Sequence, residues 1–271
     1  MAETGLDQTK IETARRRLEE KMEGMSFLAH LEELRVRIIR CVLAVAVGFA
    51  ACWYYADQIF GWVEKPIMTA LRENGLEQKL VYLNPTEPFN MYIKVGLIAG
   101  LFLTSPFVLY QVWSFVAPGL YRHEKRYAVP FLISTVFLFC AGGYTGYAVV
   151  YPRALEFLVH YGRRFQPMIT IGEYTDLFLV IIVGMGIIFE MPILAGFLAG
   201  MGVINAKFLW KNLRYSILLI FIVAAIVTPT PDVMNMCLFA SPMVVLYMVS
   251  ILIAWLVHPK RRKARAAKLQ G

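Results

Sequence analysis

Four acidic residues stand where solubility does not call for them: Glu33, Glu124, Glu190 and Asp232. Glu124 lies in Ala117-Pro-Gly-Leu-Tyr-Arg-His-Glu-Lys-Arg126, a polar loop between two long apolar runs. Arg122, Lys125 and Arg126 surround it, and Tyr121 and His123 stand beside it. Positive charge alone holds such a loop on the cytoplasmic side, so the acid either pairs with Arg122 or Lys125 in solvent or recognises something else. Glu33 belongs to residues 25–40, where Phe27, Leu28, Leu31, Leu34 and Ile38 recur at helical spacing beside Glu32, Glu33, Arg35 and Arg37. That pattern predicts an amphipathic helix lying in the membrane interface. Together at one membrane surface, Glu33 and Glu124 form an acidic site ringed by positive charge. Its natural partner is a pair of guanidinium groups, because arginine meets a carboxylate in a bidentate fork and lysine does not. The plain alternative for Glu33 is i,i+4 pairing with Arg37, which contributes a few tenths of a kcal/mol.

Glu190 stands deep in an apolar run and is followed by Met191 and Pro192. A charged side chain at mid-membrane costs about 2.5–3.5 kcal/mol on insertion scales. Glu190 is therefore protonated, paired or facing a wet cavity, or it is a polar lock between helices. Asp232 follows Thr228-Pro-Thr-Pro and is placed to cap the helix after it, with Thr228, Thr230 and Asn235 adding polarity to the same turn. The four cysteines (Cys41, Cys52, Cys140, Cys237) show no metal-ligand spacing and read as small packing residues. Catalytic signatures are missing from the sequence: it has no Gly-x-Ser-x-Gly, no His-Glu-x-x-His and no phosphate loop. No enzyme chemistry, metal or cofactor is expected.

The elements that carry these residues follow from composition. The chain has 271 residues, 58% of them hydrophobic, and a mean hydropathy of +0.57, which places it outside soluble domains. Apolar runs near the length of a membrane span recur at 38–60, 89–115, 128–151, 176–201, 213–227 and 233–257. The fold class is therefore an all-α integral membrane protein with six spans. The fifth has only 15 residues, roughly 22 Å of helix against a hydrocarbon core of about 30 Å. Twenty of the 27 basic residues fall on one side of this topology, at the two ends and in the loops after spans two and four. Both termini are thus expected in the cytoplasm. Residues 1–24 read as a polar tail, 25–258 as the membrane domain and 259–271 as a basic tail. Arg15, Arg16 and Arg17 precede no apolar segment of a secretory signal.

His30-Leu-Glu-Glu-Leu-Arg-Val-Arg37 and the 117–126 loop closely resemble the TatC family, the multispanning receptors of the twin-arginine protein translocase. Leu109-Tyr-Gln-Val-Trp-Ser-Phe115, Phe189-Glu-Met-Pro192, Thr228 to Asp232 and Lys65-Pro-Ile-Met68 agree as well. The resemblance runs from about residue 25 to 257. It implies a cupped six-helix wall in the cytoplasmic membrane of a prokaryote, receiving folded proteins that carry a Ser-Arg-Arg-x-Phe-Leu-Lys type signal. It also implies TatA and TatB as single-span partners and association into a larger complex.

On this resemblance Glu33 and Glu124 hold the signal's arginine pair, and Arg35, Phe115, Tyr121, Arg122 and His123 shape that surface. Pro66 supports an outer cap and Glu190 faces the concavity. Thr228, Asp232 and Asn235 fall where the partners dock. The turn here is Thr-Pro-Thr-Pro-Asp, one residue longer than the family's Thr-Pro-Pro-Asp form, and Met236 takes the place of a frequent glutamine. The alternative from a different class is a proton- or cation-coupled secondary transporter using Glu190 and Asp232 as a relay. Against it, the sequence shows no matched broken helices in two halves.

Overall fold

The computed structural model describes residues 30–116, 128–162, 164–165, 168–228 and 232–257. Both terminal tails of the expected domain division, and Tyr121, Arg122, His123, Glu124 and Thr230, lie outside the described residues. Among those described, the chain is helical. Its one strand-like feature is an isolated bridge between Val81 and Thr170.

Five helical stretches are long and apolar enough to cross a membrane: His30–Trp53, Glu87–Phe115, Phe131–Tyr161, Ile171–Gly200 and Val233–Val257. The short fifth span of the sequence is a helix at Leu213–Val227. In chain order the elements are α1 (His30–Trp53), α2 (Ala56–Val63), α3 (Lys65–Glu73), α4 (Glu87–Val116), α5 (Ala128–Thr145), α6 (Tyr151–Tyr161), α7 (Ile171–Ile188), α8 (Met191–Gly200), α9 (Ala206–Lys211), α10 (Leu213–Val227) and α11 (Val233–Val257). Spans two, five and six fall within two residues of their expected positions. Three features differ. The first span ends at Trp53, seven residues short of its expected end. Residues 56–73, which include the end of that expected span, form two separate helices. The third span runs ten residues further, to Tyr161.

Prolines explain the irregularities. Each proline removes an N–H and leaves the carbonyl four residues earlier without its helical donor. Pro106 and Pro242 both lie inside continuous helices, and each follows a serine. The Ser105 hydroxyl donates to the Phe102 carbonyl at 2.8 Å, and Ser241 donates to Leu238 at 3.0 Å. These are the two carbonyls that Pro106 and Pro242 leave free. Pro152 has no such neighbour, and the turn before it widens into a π-helix at Gly146–Val150. Pro192 follows a two-residue turn at Phe189–Glu190, which interrupts the helix while both residues keep right-handed helical backbone angles, with Glu190 as the N-cap residue of α8.

Small residues set how closely the helices approach. A methyl placed on Gly100 would stand 2.5 Å from the Phe49 backbone nitrogen, and one on Gly48 would stand 2.7 Å from the Gly100 carbonyl oxygen. The α1 and α4 backbones are therefore in direct contact there. Gly142 similarly admits the Met185 carbonyl, 2.5 Å from where a Cβ would lie, and joins α5 to α7. The cysteines are free thiols, and none of the four is buried; Cys140 and Cys237 are exposed. The packing role expected of them is not seen.

The segments that join the first span to the second and the third to the fourth pack down as a cap. Ile67 and Leu71 of α3 are fully buried. The Tyr147 hydroxyl donates to the Trp62 carbonyl at 2.9 Å, the Tyr174 hydroxyl donates to the Val63 carbonyl, and Lys94 pairs with Asp176. On the opposite side Tyr247 ties α9 and α10 to α11. Its hydroxyl accepts from Ser216 at 2.8 Å and donates to the Leu209 carbonyl at 2.9 Å.

Candidate functional site

Glu33 occupies the first turn of α1. Arg37, one turn on, donates to its Oε1 from both Nε, at 2.9 Å, and Nη2. The third contact of that guanidinium runs from Nη1 to Oε1 of Gln111 on α4, at 3.2 Å. Beside this network the His30 ring stacks on Phe115 with 4.3 Å between centroids and 11° between planes. His30 Nδ1 lies 4.0 Å from Glu33 Oε2. The first turn of α1 and the last turns of α4 thus form one surface.

The i,i+4 pair weighed as the plain alternative exists, yet it leaves Glu33 accessible. Its side chain is 45% exposed, and Oε2 has no hydrogen-bond donor among the described residues. An exposed pair of this kind contributes about 0.2–1 kcal/mol, so an incoming guanidinium displaces or shares it at little cost. Gln111 was not singled out from the sequence, although a glutamine inside an apolar span is a signal of its own. It is buried, and its partner is the arginine that holds Glu33.

Glu190 stands at the N-cap position of α8 without a side-chain capping bond. Both of its carboxyl oxygens are buried, and neither meets a hydrogen-bond partner among the described residues. It lies far along the chain from the Glu33 surface and does not join it. Pro66 stands in the first turn of α3, where its missing N–H costs nothing.

Asp232 is the expected cap of α11. Its Oδ1 accepts from the Asn235 backbone N–H at 2.7 Å, and Oδ2 accepts from the Asn235 side-chain amide at 3.1 Å. Thr228, buried at the end of α10, donates its hydroxyl to the Ala224 carbonyl at 2.8 Å. The outer face of α10 carries Tyr215, Leu218, Leu219, Ile222 and Ile226, all exposed. No group of His, Cys, Asp and Glu among the described residues is placed to hold a metal ion.

Comparison with known proteins bears on the family and the fold. The family profile described as Sec-independent protein translocase protein (TatC) matches residues 29–242. The Sec-independent protein translocase protein TatC of Koribacter versatilis is 62% identical over 247 residues, 91% of either chain. The TatC of Desulforapulum autotrophicum is 37% identical over 231 residues, 85% of this chain and 84% of its own. That of Aquifex aeolicus is 35% identical over 246 residues, 90% of this chain and all of its own. A crystal structure of the twin-arginine translocase receptor TatC superposes with a TM-score of 0.74 at 36% identity, covering 84% of this chain and 99% of that one. A second, in the detergent DDM, gives 0.75 at 36% identity, with 83% and 99% covered. A profile match spanning most of the chain, relatives well above 30% identity and a shared fold lead to one conclusion: this multi-pass membrane protein belongs to the TatC family of Sec-independent protein translocase proteins.

Proposed function

We propose that this chain is the receptor and assembly scaffold of a twin-arginine protein translocase in a prokaryotic cytoplasmic membrane, with both termini cytoplasmic. Glu33 and Glu124 take the arginine pair of the signal, and Arg35, Phe115, Tyr121, Arg122 and His123 shape the surface around them. The signal's apolar part then lies along the helical wall towards Glu190. TatA and TatB, as single-span partners, dock at Thr228, Asp232 and Asn235 beside the exposed face of α10. Pro66 starts the helix that anchors the outer cap. No cofactor is required, since a receptor of this kind makes and breaks no covalent bond in its cargo.

The observation that carries the reading is the Glu33 carboxylate itself. It already grips one guanidinium through two donors, and its second oxygen accepts no hydrogen bond from the described residues. That is the chemistry an arginine-bearing signal requires. The coupled-transporter alternative has no support among the matched relatives.

The test is binding of a fluorescent twin-arginine signal peptide to the detergent-purified protein. A twin-lysine peptide and the variants Glu33→Ala and Glu124→Ala are measured beside it. Hydrogen bonds to charged groups contribute about 1.5–3 kcal/mol, so each variant is expected to weaken binding roughly 10- to 150-fold. Equal binding of the two peptides, or variants equal to the parent, refutes the proposal.

A further inference from the structure

Among the described residues, two buried side chains of the membrane domain have no hydrogen-bond partner at any of their polar atoms. The first is the carboxyl of Glu190, with both oxygens buried. The second is the hydroxyl of Thr135 on α5, a fully buried residue. Threonines within helices ordinarily bond back to the carbonyl four residues earlier. Thr69, Thr104, Thr145 and Thr175 all do so here, at 2.7–2.9 Å. The Thr135 hydroxyl does not.

The packing register places the two groups at one level. On α5 the residues turned towards α7 and α8 are Phe131, Thr135, Phe139, Gly142 and Gly146, which recur at helical spacing. Gly146 lies against the Ile181 carbonyl and Met185, Gly142 against Met185 and Phe189, and Phe139 against Gly186. Further along, the Phe131 ring lies 6.2 Å from that of Phe197. The residues of α7 and α8 that meet this stripe are therefore Ile181, Met185, Gly186, Phe189 and Phe197, and Glu190 adjoins Phe189. Thr135 sits midway between Phe131 and Phe139, which the aromatic and glycine contacts together place opposite the first turn of α8. At 1.5 Å of rise per residue, its axial offset from Glu190 is about 2–6 Å.

The contacts above and below this level are apolar, with Trp113, Phe131 and Phe197 on one side and Phe139 and Met185 on the other. Ionised, the carboxyl accepts the hydroxyl proton; protonated, it donates to the same oxygen. Threonine suits both states.

We propose that Thr135 is the hydrogen-bonding partner of Glu190 and positions its carboxyl at the break between α7 and α8. The polar point that the passing signal meets is then a pair of residues from two helices. The pairing follows from the packing alone, whereas its role in transport rests on the function proposed above for Glu190.

Infrared difference spectra of the purified protein, parent minus Glu190→Gln, isolate the Glu190 carboxyl band. Thr135→Val is expected to shift that band, and Thr135→Ser to leave it in place. A band unmoved by Thr135→Val overturns the pairing. A double-mutant cycle on unfolding in detergent, with Thr135→Val and Glu190→Leu, gives a second reading. Interhelical hydrogen bonds in membranes lead us to expect coupling of roughly 3- to 20-fold in the unfolding equilibrium. Additive variants again overturn the pairing. Export of a twin-arginine cargo then separates the two parts of the proposal: Thr135→Val is expected to lower it and Thr135→Ser to restore it. A shifted band with parental export overturns the positioning role while the pairing stands.

Discussion

Substituting Gly100 tests the idea that α1 is held in place by one backbone contact. A Cβ at Gly100 would lie 2.5 Å from the Phe49 nitrogen, 2.7 Å from the Gly48 carbonyl carbon and 2.9 Å from the Phe49 Cα. All three are backbone atoms, so no side chain can rotate away. Ordinary van der Waals contact begins at 3.4 Å, and α1 must therefore retreat by roughly 1 Å at this level. Overpacking of that kind costs about 1–3 kcal/mol. Alanine also raises helix propensity by up to about 1 kcal/mol, which partly masks the loss. Gly61→Ala supplies the correction, because a Cβ there meets nothing within 4 Å and receives the propensity gain alone.

Unfolding in detergent of the two variants should thus differ by about 1–3 kcal/mol, with Gly100→Ala the less stable. The retreat should also reach the signal site, since the Arg37–Gln111 bond that ties α1 to α4 is already 3.2 Å long. Gly100→Ala is then expected to bind the twin-arginine peptide more weakly than Gly61→Ala does. Equal stability of the two variants refutes the claim that this glycine fixes the helix spacing.

Arg37→Gln removes the guanidinium that occupies Glu33 Oε1 and should leave twin-arginine peptide binding equal or tighter; a loss on the scale of Glu33→Ala in the same titration would mean that Arg37, not Glu33, makes the contact. Asp232→Ala deletes the cap on α11 and should cost about 0.5–2 kcal/mol, whereas Asp232→Asn keeps an acceptor and should cost less; detergent unfolding checks the order. Ser105→Ala strips the Phe102 carbonyl of the donor that replaces the one lost at Pro106 and should destabilise by about 1–3 kcal/mol. The double variant Ser105→Ala, Pro106→Ala should recover that loss, because the backbone N–H returns; failure to recover would refute the compensation.

Much of this protein is legible in its sequence because a bilayer imposes one-dimensional rules. A run of apolar residues of fixed length must become a helix, so α4, α10 and α11 lie where hydropathy puts them. Asp232 was readable as a cap because capping needs only the three residues that follow. The Glu33–Arg37 pair was equally local, at one helical turn. Where proline met the apolar runs, the sequence fell short. Whether a proline leaves a helix intact, widens it or ends it depends on what reaches the freed carbonyl. Ser105 and Ser241 do so at Pro106 and Pro242, nothing equivalent does so at Pro152, and the fourth span breaks before Pro192.

The sequence by itself therefore determined the number of spans, the polar residues worth following and, through its motifs, the family. Only the tertiary structure decided which of those residues meet. Gln111 reaches Arg37 across 74 positions. Such meetings follow from the axial register of packed helices. Small residues such as Gly48, Gly100 and Gly142 set that register through close contact, and the period of a single helix carries no record of it.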